Sequence, residues 1–198
     1  MYAMYGLFVQ CPPKCAKPAR EKKLYNAQDN TDTMYFLATT PIMRQFDAMW
    51  ELEWALGEDV KVKKTQYPGL LIASIDMDRN KALESVRDYE TTALYKVFPI
   101  DAMIKTDKDA IYEKAMELAK EMIGADDTFA VRVRKRGGAL PSSKDTEREL
   151  GAMIVEQIGA KVNLDYPQKT LKIEVIGRRT GISVLGPDDI VSKEVEEF

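Results

Sequence analysis

The segment 129–136, FAVRVRKR, alternates strictly between apolar and cationic residues. Side chains of an extended chain point to opposite faces with period two. Phe129, Val131 and Val133 therefore share one face and Arg132, Arg134 and Arg136 the other, with Lys135 at the end. Three guanidinium groups on one face repel one another unless an anion neutralises them, and the planar fork of arginine matches phosphate oxygens. Gly137-Gly138 breaks the strand. Ser142 and Ser143 then open a helix whose first turns carry Lys144 and Arg148, and a helix N-terminus favours phosphate in its own right. A second basic element, the turn Arg178-Arg179 with Lys169 upstream, is expected in the same sheet. The candidate polyanion-binding set is thus Arg132, Arg134, Lys135, Arg136, Ser142, Ser143, Lys144, Arg148, Lys169, Arg178 and Arg179. The competing reading is a solvated edge strand that uses charge to block aggregation.

The composition narrows the chemistry available. The chain contains no histidine, which removes Ser-His-Asp and Cys-His catalysis and the histidine-dependent zinc sites. Its two cysteines, Cys11 and Cys15, cannot close a four-ligand zinc site, and they read as free thiols of a reducing compartment, which suggests a cytoplasmic location. No glycine-rich cofactor loop or Walker lysine motif occurs, so no cofactor is expected. Carboxylate pairs such as Glu51 with Glu53, or Glu147 with Glu149, sit on polar helix positions without a perturbing neighbour, and no catalytic residue is assigned. The formal net charge of −3 hides segregation: acid collects in the tail at Asp188, Asp189, Glu194, Glu196 and Glu197, and base collects around 128–148 and 168–181. A local basic face on an acidic chain is an electrostatic footprint for a polyanion. No apolar run approaches the roughly 18 residues of a membrane span.

These residues need elements to position them. Residues 1–33 lack sustained periodicity and read as a flexible basic leader. From Met34 onward the pattern is regular: a strand near 35–38, a helix from Thr40-Pro41 carrying Ile42, Phe46, Met49 and Trp50, alternating residues at 60–66, a buried-type strand at 70–75, a short helix with Ala82, Leu83 and Val86, and a strand over 96–105 interrupted by Pro99. The order strand-helix-strand-strand-helix-strand is the split βαβ, or ferredoxin-like, unit, predicted for 34–106. Trp50 and Trp54 stand at i and i+4 and are expected in the core rather than on a base-stacking surface. Beyond Asp107 come a helix with Ile111, Ala115, Leu118 and Met122 on one stripe, the arginine strand, a helix capped by Ser142 with Leu150, Met153, Ile154 and Ile158 inward, and a hairpin from 170 to 185. These make a second α/β unit over 107–186. The acidic segment 187–198 is expected to fray or to form a short helix.

The blocks TFAVRVRKRG, SKDTERELGAMI, VNLDYPQKTLKIEVIG and TGISVL, in that order and spacing, resemble the THUMP domain, an α/β module of tRNA-modifying enzymes and their partners. The resemblance covers about 105–185, and such families often place a ferredoxin-like domain before it, as here. It implies that the pair grips the acceptor stem and 3′ end of tRNA. Known members usually carry a catalytic domain as well. Because this sequence stops about a dozen residues after the hairpin, the expectation is a non-catalytic adaptor, most like the stand-alone THUMP protein that serves a tRNA cytidine acetyltransferase. Two alternatives stay open: an RNA-binding subunit of a tRNA methyltransferase or other modification enzyme, and a ferredoxin-like regulator that binds a small anion or a protein and no RNA.

Overall fold

Two mixed α/β units, each a five-stranded sheet with two helices on its outer face, are stacked through the inner faces of their sheets. This is the arrangement in the computed structural model, which describes residues 33–137 and 142–195. The leader, Cys11, Cys15 and the loop between Gly137 and Ser142 lie outside the described residues. Both sheets belong to one compact unit of the chain.

The first sheet has the order β10-β4-β1-β3-β2, all antiparallel, formed by β1 (Met34–Thr39), β2 (Lys61–Lys64), β3 (Leu70–Ile75), β4 (Lys96–Ile100) and β10 (Val191–Ser192). Helices α1 (Gln45–Leu56) and α2 (Arg79–Asp88) cover one face, where Phe36, Ala38, Leu71, Ala73 and Val97 meet Ala48, Leu52, Leu56 and Leu83. Helix α2 starts at Arg79, because the Asp78 carboxylate accepts the Asn80 and Lys81 backbone N–H groups at 2.9 and 3.1 Å and so satisfies two orphan donors. The expected ferredoxin-like order of elements is present.

The second sheet has the order β5-β9-β8-β6-β7, formed by β5 (Ala102–Lys105), β6 (Thr128–Arg136), β7 (Lys161–Val162), β8 (Lys169–Ile176) and β9 (Arg179–Leu185). Strand β6 runs parallel to β7 and β8, and the β8–β9 and β9–β5 pairs are antiparallel. Helices α3 (Lys108–Met122) and α4 (Ser143–Ile158) bury Ile111, Ala115, Leu150 and Ile154 against Phe129, Val131, Leu171 and Ile173. Asp107 and Ser142 cap the two helices by accepting from the Ala110 and Asp145 N–H groups.

Four expectations change, the first being that Trp50 and Trp54, expected in the core, are exposed because α1 turns Ala48, Leu52 and Leu56 to the sheet instead. The stretch 96–105 is two strands in two different sheets. The chain crosses at Asp101, whose carboxylate pairs with Arg79 and accepts the Val184 N–H at 2.8 Å, so the crossing residue is held from both units. The acidic segment forms the expected short helix only as a 3-10 turn at Pro187–Asp189 and then returns as β10, which pairs with β4 with Val191 buried and covers an edge that would otherwise present unpaired backbone groups. Finally, α1 begins at Gln45 after a 3-10 turn at Ile42–Arg44, and Arg44 occupies its N-cap position in place of Thr40.

Between the sheets lies a third apolar cluster of Leu37, Leu70, Phe98, Ile100, Ile176 and Leu185. The approach is close: a Cβ on Gly181 would stand 2.9 Å from Ile100 Cδ1. The Ser183 hydroxyl donates to the Pro99 carbonyl at 2.8 Å, and Arg79 reaches Asp189 and the Val184 carbonyl at 2.8 and 3.2 Å. The face of β6 that carries the arginines is the face turned toward the first unit.

Candidate nucleic-acid interface

The alternation of β6 is realised as predicted. Phe129 and Val131 are buried against the helices, and Arg132 and Arg134 are exposed. Register then adds a residue that the sequence reading passed over. Lys172 of β8 stands opposite Arg132, and Glu174 opposite Arg134, on the same face. Strand β4 of the first sheet brings Lys96 and Phe98 up to this surface, with Tyr95 just before it. Together they line an open cleft of about 520 Å³, with Arg134, Arg136, Lys172 and Glu174 on one wall and Thr40, Ile42, Pro68 and Gly69 on the other.

The cations in this cleft are not equivalent. Arg136 is half-buried and bonded through Nη1 to Glu174, itself 3% exposed, so the anion that neutralises this arginine belongs to the protein. Lys172 Nζ lies 3.7 Å from Glu174 Oε1 and 4.0 Å from the centroid of the Phe98 ring. Burial holds its pKa below the usual lysine value; Glu174 pulls it back up, while Lys96 and Arg134 push it further down. One buried carboxylate thus faces Arg136 and Lys172, with Lys96 and Arg134 at the rim.

The other predicted residues fall into separate places. Arg132 leans over the strand edge and donates to the Leu164 carbonyl at 2.6 Å, joining Lys144 and Arg148 along a groove of about 730 Å³ between α4 and β7. In the same groove, Glu147 accepts the Val133 backbone N–H at 2.7 Å, sealing the β6 edge left open beyond the short β7. Ser142 is spent as the α4 cap, Ser143 is half-buried, and Asp145 already offers a carboxylate to the first turn of that helix. Arg178 and Arg179 are exposed on the β8–β9 turn beside the end of β6, since Gly177 N–H donates to the Arg136 carbonyl at 3.0 Å. Lys135 is exposed near that end. Lys169, at the start of β8 opposite Phe129, lies at the other end of the sheet and is not brought to the cleft.

A groove, a cleft and a basic turn on one molecule, with arginine forks at the rims, suit an extended polyanion better than a single small ligand. Among the described residues no group of His, Cys, Asp or Glu could hold a metal ion, and no helix is long and apolar enough to cross a membrane. The family model described as the THUMP domain matches residues 105–185. An uncharacterized protein of Methanocaldococcus jannaschii is 33% identical over 118 residues, covering 60% of this chain and 31% of its own length. A tRNA sulfurtransferase of Pectobacterium atrosepticum is 35% identical over 95 residues, 46% of this chain and 20% of that enzyme. The chain therefore spans less than a third of the length of these curated relatives. A 4-thiouridine synthetase solved as an RNA complex with bound ATP shares the fold, with a TM-score of 0.59 at 17% identity over 80% of this chain and 42% of that one.

Proposed function

We propose, for a chain whose residues 105–185 match the THUMP domain model, that it binds tRNA through the cleft between its two sheets and the basic turn beside it. The observation that carries this reading is the convergence of Lys96 from the first sheet with Arg134 and Lys172 from the second on one open cleft, with Glu174 as the buried carboxylate on its wall. Phosphate contacts of this kind supply affinity and register without base specificity, as a protein that handles many tRNAs requires. The acceptor stem and unpaired 3′ end are the part gripped, and the chain presents it to a separate modifying enzyme without turnover of its own. A cytidine acetyltransferase is the partner that the sequence resemblance favours.

A gel shift with bulk tRNA at two salt concentrations tests the binding. Strong, salt-sensitive retardation is expected, and its absence would leave the small-anion or protein regulator as the better reading. Incubation of the purified protein with tRNA and either acetyl-CoA plus ATP or S-adenosylmethionine should leave the RNA unmodified. A new modified nucleoside would overturn the adaptor role, and co-purification of a methyltransferase in place of an acetyltransferase would change the partner.

A further inference from the structure

Helix α1 buries one apolar stripe and exposes another. Ala48, Leu52 and Leu56 face the sheet, and Phe46, Trp50 and Trp54, also at i, i+4 and i+8, remain 60%, 50% and 65% exposed. Two residues of an α-helix subtend about 200°, so burying the first stripe forces the second outward. A row of three aromatic side chains on a small α/β unit is costly in solubility, and none of the cleft chemistry uses it. The row is continuous with the cleft: Ile42, in the turn that leads into α1, is both 61% exposed and a lining residue of the cleft wall.

We infer that this stripe is a stacking track for a single-stranded RNA segment, laid down from the cleft along α1. The inference rests on the tRNA-binding reading and specifies where the unpaired nucleotides go. Successive rings are about 6 Å apart along the helix axis, close to twice the roughly 3.4 Å separation of stacked bases, so successive rings address successive unstacked bases. The charge pattern suits phosphates at the cleft end. Lys64 Nζ sits over one face of the Phe46 ring, 4.0 Å from its centroid, so the first ring carries a cation that a phosphate at the cleft end would meet, and the uncovered tryptophan rings supply most of the stacking surface. Two of the three carboxylates of α1 are already engaged: Asp47 pairs with Arg44, and buried Glu51 accepts the Thr92 and Ala93 N–H groups, which leaves Glu53 beside Trp50 and Trp54 toward the far end of the row. Exposed Glu58 and Asp59 stand past the C-terminal end of the helix, where repulsion ends the track. Stacking on a ring is tolerant of base identity, in keeping with a surface that follows a variable strand.

The only two tryptophans of the chain, Trp50 and Trp54, are both on the track, so intrinsic emission of the full chain reports on it directly. A five-nucleotide unpaired RNA and intact tRNA should quench that emission saturably, and a blunt RNA duplex with as many phosphates should not. Trp54→Ala and Phe46→Ala should each weaken binding of the single strand by about 5- to 100-fold and leave duplex binding unchanged, while Trp54→Phe retains most of it. Salt-sensitive tRNA binding with unchanged emission and an unaffected Trp54→Ala variant would overturn the track and leave the cleft reading standing. A blue shift that grows with protein concentration alone would assign the face to a second copy and likewise overturn it. Loss of all RNA binding would remove both.

Discussion

Lys172 Nζ rests 4.0 Å from the centroid of the Phe98 ring, so a cation of the second sheet is held against an aromatic ring of the first. Neither residue is placed by its own sheet alone. The ring supplies its negative face, an attraction of about 2 kcal/mol when desolvated, and Glu174 supplies an ion-pair partner at 3.7 Å. The pair joins the packing between the units to the cleft at which RNA is proposed to bind.

Proton uptake follows from that placement. In the free protein burial lowers the Lys172 pKa below 10.5, with Lys96 and Arg134 acting in the same direction against Glu174. A phosphate in the cleft favours the charged form and raises the pKa again. RNA binding should therefore take up a proton between the two values, and affinity should fall as pH rises through that window. Calorimetry over a pH series, in two buffers of different ionisation heat at each pH, measures the uptake. Equal uptake in Lys172→Met would place the proton elsewhere.

Arg134 and Arg136, two positions apart on one strand, should behave oppositely. Arg134→Ala, and likewise Arg178→Ala, should lower the slope of log affinity against log salt by about 0.7 to 0.9 with little change in Tm. Arg136→Ala strands Glu174 in a site where only Lys172 remains as a partner, and should cost about 3 kcal/mol of stability, a fall in Tm on the order of 10 °C. Thermal melts beside salt titrations separate the two. Equal Tm values for the two variants would contradict the assignment of Arg136 to structure.

Gly177 and Gly151 make a controlled pair. Gly177 has φ 64° at the first position of the β8–β9 turn, and a Cβ there would strike the Gln66 side chain. Gly177→Ala should lose about 1–2 kcal/mol from the left-handed backbone alone. Gly151, inside α4, would place its Cβ in open space, and Gly151→Ala should gain about 0.5–1 kcal/mol. Chemical denaturation of both variants checks the contrast, and the account fails if they shift the midpoint in the same direction.

Asp101 sets an acid-side dependence. Desolvation raises its pKa above 3.8, opposed by Arg79 and by the Val184 N–H. A raised folded-state pKa contributes stability that is fully present below the unfolded value and is lost as pH rises through the folded one. The Tm of wild type minus that of Asp101→Asn should therefore decline as pH rises from about 4. A difference that grows with pH would mean that the Arg79 pairing outweighs the burial.

The amino-acid sequence by itself determined the two α/β units and the facing of the arginines on β6, and it narrowed the caps to Thr106 or Asp107 for α3 and Ser142 or Thr146 for α4, because period-two alternation and N-cap chemistry are local properties of the chain. It carried the THUMP resemblance over 105–185 for the same reason, as ordered blocks of local pattern. It did not decide which stripe of α1 is inside: Phe46, Trp50 and Trp54 have the same spacing and apolar character as Ala48, Leu52 and Leu56, and only docking on the sheet selects between them. Nor did it decide that Lys96 and Lys172 share a cleft, that Arg136 is spent on Glu174, or that Lys169 stands apart. Those facts depend on strand register and on how two sheets stack, which join residues far apart in the chain and leave no period for a sequence reading to follow.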